Sequence, residues 1–193
     1  MAGVRRHRAG RRFQRAVAAF HIAADDGRLH DECRWILDSQ RVFLTKKRSK
    51  VPRPVRIGEV LRRSVGKANC RRHAGQIRSQ LLRRRQVGVA VPGACEGLVH
   101  TQWAAEALLR TGAYGPWVVA VLDLVNCFCH FEWPAVRSSA AAIVPALEPW
   151  LAWCTRQPVR VRLPSGEWRW LDRGAEQGDP ESSFKSSAIL ADA

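Results

Sequence analysis

No apolar run in the chain approaches the roughly eighteen residues needed to cross a bilayer. The longest, residues 117–122, stops at Asp123, so a membrane-spanning role is set aside. The six cysteines include no Cys-x-x-Cys pair. Cys127 and Cys129 lie two apart and Cys70 and His73 three apart, each at most half of a tetrahedral metal site, so neither a zinc framework nor a secreted disulfide framework is evident. The thiols read as reduced cysteines of a nuclear or cytosolic protein, with the compartment undetermined between the two. Residues 1–15 contain no acid, serine or threonine. The missing hydroxyl residues argue against an organellar transit peptide and for a disordered basic arm. Arg5-Arg6-His7-Arg8 with Arg11-Arg12 also has the form of a nuclear localisation signal.

What is present suffices for a core: 193 residues, 46% of them hydrophobic, with eight tryptophans. The net charge of +15 is unevenly placed. Residues 1–86 hold 24 Lys/Arg against 6 Asp/Glu, and residues 87–193 hold 8 against 11. So concentrated an excess repels itself unless a polyanion or counterions neutralise it, and nucleic-acid phosphate is the first partner to consider. A solvated basic face is the other reading.

Apolar spacing predicts two short helices over residues 13–38, around the turn at Asp25-Asp26-Gly27. A strand over residues 42–45 leads into the basic cluster Lys46-Lys47-Arg48, and Pro52 and Pro54 hold the chain extended into a second strand through Val55 and Ile57. A helical pattern with one basic face covers residues 59–85, interrupted near Gly75, and another covers residues 94–110. Residues 117–122 form a β-branched apolar run, the mark of a strand buried on both faces. Helices over residues 132–142 and 145–153 follow, then a hairpin across Pro164-Ser165-Gly166-Glu167. The mixture is irregular, so the fold class is α+β, divided into a basic N-terminal arm with short helices (1–39) and a main domain (40–193).

Asp123, an acid ending a buried strand, needs pairing or a cation to be tolerated there. Magnesium suits an all-oxygen site, and a helix N-cap or a surfaced strand end is the alternative for the residue taken alone. Its neighbours extend the pattern. Arg53-Pro54-Val55-Arg56-Ile57-Gly58-Glu59 resembles the first fingers motif of the reverse transcriptases of non-LTR (LINE-type) retrotransposons. The segment Gln86-Val87-Gly88-Val89-Ala90-Val91-Pro92-Gly93, followed by Cys95-Glu96-Gly97-Leu98-Val99-His100, resembles the stretch that introduces the helix before the palm. Asp123-Leu124-Val125-Asn126-Cys127-Phe128 resembles motif A, and Arg173-Gly174-Ala175-Glu176-Gln177-Gly178-Asp179-Pro180 resembles motif B, where Gln-Gly-Asp-Pro opens a helix. The ordered match covers about residues 40–190.

The resemblance implies a partial right-hand polymerase fold, fingers and the first half of the palm, of an RNA-directed DNA polymerase. Asp123 would be a ligand to Mg2+, and Phe128 would be the steric gate that excludes a ribose 2′-hydroxyl. Gln177 and Gly178 would shape the nucleotide pocket, and Lys47, Arg48, Arg53 and Arg56 would contact phosphates. The implied partners are an RNA template, a DNA primer and deoxynucleotides. Singly, Phe128 also fits a core aromatic, residues 177–180 a helix-starting turn, and the basic cluster a solvated surface. The chain departs from the family in three ways. No aromatic-x-Asp-Asp motif follows motif B, Glu181-Ser182-Ser183 replaces an apolar residue and Ser/Gly-Pro, and Cys127 replaces alanine. One carboxylate does not hold two metal ions for in-line attack, so the expectation is a fragment inactive by itself, with a non-catalytic nucleic-acid-binding remnant as the alternative.

Overall fold

Arginine-rich though it is, the N-terminal segment is helical. The computed structural model describes residues 2–44, 53–112, 127–175 and 177–192. Helix α1, Ala2–Asp25, occupies the segment expected to be a disordered arm and absorbs the first of the two short helices expected there. No proline interrupts it, and its alanines favour helix. Tertiary packing holds its C-terminal end: Ala24 is fully buried and Phe20 packs on the core. The helix stops in a Schellman arrangement, in which the Arg28 N–H donates to the Ala23 carbonyl at 2.8 Å and the Gly27 N–H to the Ala24 carbonyl at 2.9 Å. Gly27 takes the left-handed conformation this requires, with φ +64°. A 3-10 helix, Asp31–Leu37, then buries Ile36 and Leu37. The sequence region assigned to an arm thus supplies Ala24, Ile36 and Leu37 to the central core.

Strands β1 (Ser39–Leu44) and β2 (Arg53–Gly58) pair antiparallel, with Arg41 opposite Arg56. The basic cluster expected to turn between them lies outside the described residues. Helices α2 (Val60–Arg72) and α3 (Ala74–Arg83) follow, broken at His73 where the sequence suggested Gly75. Helix α4 spans Ala94–Arg110, as the spacing predicted. The apolar strand expected over residues 117–122 also lies outside the described residues. Beyond it come a single turn, α5 (Cys127–His130), and helix α6 (Trp133–Ile143). The helix expected over residues 145–153 is a 3-10 turn, Pro145–Leu147, running into α7 (Glu148–Thr155). Strands β3 (Val159–Arg162) and β4 (Trp168–Leu171) form the expected hairpin, and α8 (Ser182–Asp192) follows the Gln-Gly-Asp-Pro segment.

The class is α+β. One four-stranded sheet has the order β2-β1-β3-β4, with β1 and β3 parallel. The core lies among the helices, where α6 packs on α7 and α8. Trp150 and Trp153 stack at 5.7 Å between ring centres, with Leu81, Ile143, Leu151 and Phe184 buried in the same cluster. No helix among the described residues is long and apolar enough to cross a membrane.

Candidate functional site

Pairing register decides which side chains share a face of the sheet. In β1 and β2 the partners Arg41 and Arg56 project to one side with Pro54, and in β4 Leu171 projects to that same side through its pairing with Val159. These residues, with Phe128 and Cys129 of α5 and residues 172–175 and Gln177, line a pocket of about 180 Å³. Three candidates drawn from separate sequence motifs, Arg56, Phe128 and Gln177, therefore meet in one cavity.

Backbone hydrogen bonds fix its walls. The Ala175 N–H donates to the Phe128 carbonyl and the Gly174 N–H to the Phe131 carbonyl, both at 2.7 Å, so α5 is tied to the segment after β4. Trp133 adds its indole N–H to the Gly174 carbonyl at 3.1 Å, and Arg173 pairs with Glu132 at 3.2 Å. On the opposite wall the Arg56 N–H donates to the Gln177 carbonyl at 2.9 Å, which covers the free edge of β2. Gly178 is what allows this approach. Its φ is +109°, and a Cβ there would lie 2.5 Å from the Arg56 carbonyl oxygen.

The pocket is basic. Arg41, Arg56 and Arg173 line it, with Asp172 the one acid among the described lining residues. Arg56 is buried and donates from Nε to the Ser39 hydroxyl at 3.0 Å. The Nε of Arg41 is buried and has no hydrogen-bond partner among the described residues. Guanidinium groups directly opposite each other on neighbouring strands repel, and an unpaired buried N–H adds a desolvation cost. An anion between them would relieve both. The sequence did not single out Arg41 or Arg173, because their approach depends on strand register and on the α5 contact. Gly178 adjoins the pocket through Gln177, while Arg53 opens β2 and its side chain is not among those described. Lys47, Arg48 and Asp123 lie outside the described residues.

Behind Gln177 lies a buried ionic cluster that the sequence did not reveal. Asp179 pairs with Arg62 of α2 at 2.7 Å, and Glu181 with Lys185 of α8 at 2.8 Å. Lys185 also stands 3.9 Å from Asp179. The remaining acceptor capacity is filled by the Asn69 amide at 3.1 Å and the Trp150 indole N–H at 3.2 Å on Glu181, and by the Glu181 N–H at 2.9 Å on Asp179. All four charged side chains are buried. Burial by itself would raise the Asp179 carboxyl, but Lys185 and Arg62 hold it below the ordinary carboxylate value. Burial would likewise lower Lys185, and Glu181 and Asp179 outweigh it to hold the ammonium above its usual value. Glu181 is thus accommodated by a lysine one helical turn later.

No group of three or more His, Cys, Asp or Glu able to hold a metal is present among the described residues. Asp179 and Glu181, the adjacent acids, are already neutralised by cations. No protein-family model matches the chain, and neither curated proteins nor solved structures give a significant match.

Proposed function

We propose that the chain is the fingers and first half of the palm of a non-LTR retrotransposon reverse transcriptase, and that the basic pocket receives the incoming deoxynucleotide. What carries the reading is the meeting of Arg56, Phe128 and Gln177 in one cavity, although 121 positions separate the first from the last. In this reading the guanidinium groups of Arg41 and Arg56 bind phosphate oxygens, which fills the open Nε of Arg41. Phe128 stands against the ribose, and Gln177, fixed through its carbonyl to β2, lines the sugar and base side. These are binding and selection roles. No catalytic step is assigned, since the described residues do not form a metal site and the second acidic motif is not among the 193 residues.

Titration of the 193-residue chain with dTTP and UTP, followed by tryptophan fluorescence, tests the reading. Binding of dTTP in preference to UTP is expected, with Phe128→Val bringing the two affinities together. Equal binding of both nucleotides by the unaltered chain, or none, defeats the reading. Primer extension with magnesium should show no incorporation by this polypeptide alone.

The charge distribution supports a second reading, a non-catalytic nucleic-acid-binding remnant. Arg11, Arg12 and Arg15 of α1, Lys67 and Arg71 of α2, and Arg78 and Arg83 of α3 are exposed. RNA binding that weakens steeply with salt, without nucleotide discrimination, is its expected signature.

A further inference from the structure

The face of the sheet opposite the pocket carries an alternation of arginine and tryptophan. Along β3, Val159 and Val161 are buried while Arg160 and Arg162 face solvent. The β4 partners of those two arginines are Trp170 and Trp168, respectively. Cross-strand partners project to the same side, so the solvent face of this hairpin is a two-by-two array of guanidinium and indole groups. Trp168 is 48% exposed and Trp170 69%, although tryptophan is the side chain with most to gain from burial. The next strand continues the face with Gln40, which pairs with Arg162, and β2 continues it with Ile57, which pairs with Gln40.

The array is ordered from within. Arg160 lies over the Trp168 ring, 5.1 Å from its centre, and its guanidinium is held by Asp38, with Nε 3.2 Å from Oδ1. That contact orients one indole and leaves Trp170 uncovered. Arg162 makes no ion pair with any described residue. Among the described residues, the nearby acids Asp38 and Glu167 are each engaged by an arginine, Arg160 and Arg169. An apolar protein partner would have to bury these guanidinium groups. A chain of unpaired bases joined by phosphates satisfies both components, with bases stacking on the indoles and phosphates meeting the guanidinium groups.

We infer that the solvent face of the β3–β4 hairpin is a stacking platform for single-stranded nucleic acid, built by Trp168, Trp170, Arg160 and Arg162. It is separate from the basic helices α1 to α3, whose attraction for phosphate needs no bases, and it does not rest on the nucleotide-pocket reading. A duplex, whose bases are already stacked, meets only the arginines.

Anisotropy titration of a fluorescent twelve-residue oligo(dT) against the whole chain, beside an abasic strand of equal length and charge, separates the two modes. The unaltered chain is expected to bind oligo(dT) about ten-fold or more tighter than the abasic strand. The double substitution Trp168→Ala and Trp170→Ala should reduce oligo(dT) to the abasic level while leaving the salt dependence unchanged. Trp170→Phe, which keeps a ring, should retain part of the preference. Equal affinity of the unaltered chain for both strands overturns the proposal without any variant. So does a preference that survives the double substitution in protein of native circular dichroism. A dimer broken by Trp170→Ala and not displaced by oligo(dT) would assign the face to a second copy of the chain, and also overturns it. Because the dTTP and UTP titration reads Phe128 and this one reads the hairpin, failure of either leaves the other standing.

Discussion

Lys185 sits among charges that are buried with it, so its removal should cost more than loss of a surface lysine. Lys185→Met leaves Glu181 with the Asn69 and Trp150 hydrogen bonds but without its lysine, and leaves Asp179 with Arg62 and the lesser attraction of Arg56. Breaking a buried pair by deleting one partner costs about 3–5 kcal/mol, because a buried charge is left uncompensated. Urea unfolding followed by tryptophan fluorescence should show that loss, and adding Glu181→Gln to Lys185→Met should recover much of it. A single variant with an unchanged midpoint would mean that solvent reaches the cluster. The pKa directions set the pH range of the contribution. Asp179 is depressed in the fold, so its share is present above the unfolded carboxyl value of about 3.9 and fades as pH falls toward its folded value. Lys185 is raised, so its share is present below the unfolded value of about 10.4 and fades as pH rises toward its folded value. Cys70 beside the cluster is pushed up to about 11 by burial and by Glu181, which makes its thiol a poor nucleophile at neutral pH. Alkylation by iodoacetamide should therefore reach the exposed Cys95 well before Cys70.

At the scale of elements, α1 is held by its end and not by its length. Gly27 has a positive φ, and a Cβ there would lie 2.5 Å from the Pro149 carbonyl oxygen of α7. Gly27→Ala combines left-handed strain of about 1–2 kcal/mol with a backbone clash that must push α7 away. A loss of about 2 kcal/mol or more in chemical denaturation is expected, with added susceptibility to proteolysis in α1. A neutral Gly27→Ala would show that α1 does not depend on α7. Other elements mark where sequence reading succeeded and failed. The hairpin, α4 and the β1–β2 pair were legible because their signals are local: alternation, turn residues and helical spacing. The inward face of α2 was not. Its apolar side chains are Val60, Leu61 and Val65, yet Val60 is 74% exposed and the buried stripe is Arg62, Val65, Gly66 and Asn69. That stripe has perfect i, i+3, i+4, i+7 spacing, but Arg62 and Asn69 are polar and meet their buried partners, Asp179 and Glu181, only from more than a hundred positions away. The Glu181 and Lys185 spacing of one helical turn, with Gly66 making room opposite, was the available clue. Of the site, Phe128, Arg56 and Gln177 were named from motifs, whereas Arg41 emerged only once the register placed it opposite Arg56.

For the whole molecule the dominant quantity is the charge gradient, with 24 basic against 6 acidic residues in the first 86 and 8 against 11 in the rest. Two kinds of electrostatics coexist and answer differently to salt. The cluster around Asp179 and Glu181 is buried and largely unscreened, so added ions leave it intact. The exposed arginines of α1, α2 and α3 repel across water, and that repulsion weakens as the screening length falls from about 30 Å at 0.01 M salt to about 10 Å at 0.1 M. Thermal stability should therefore rise with ionic strength, the reverse of a fold held by surface ion pairs. For a chain of this size each 1 kcal/mol moves the melting temperature by about 2–4 °C, so relief of about 1–2 kcal/mol predicts an increase of several degrees between 10 and 200 mM sodium chloride. Phosphate or sulfate should exceed chloride at equal ionic strength if the pocket of Arg41, Arg56 and Arg173 takes an anion, because specific binding to the fold adds to general screening. Melts at matched ionic strength in the two salts, repeated with Arg41→Gln, separate pocket binding from screening and from the general exclusion of phosphate and sulfate from protein surface. A melting temperature that falls with added chloride would place the dominant surface electrostatics in ion pairs, and equal melts in phosphate and chloride would remove the pocket's claim on anions.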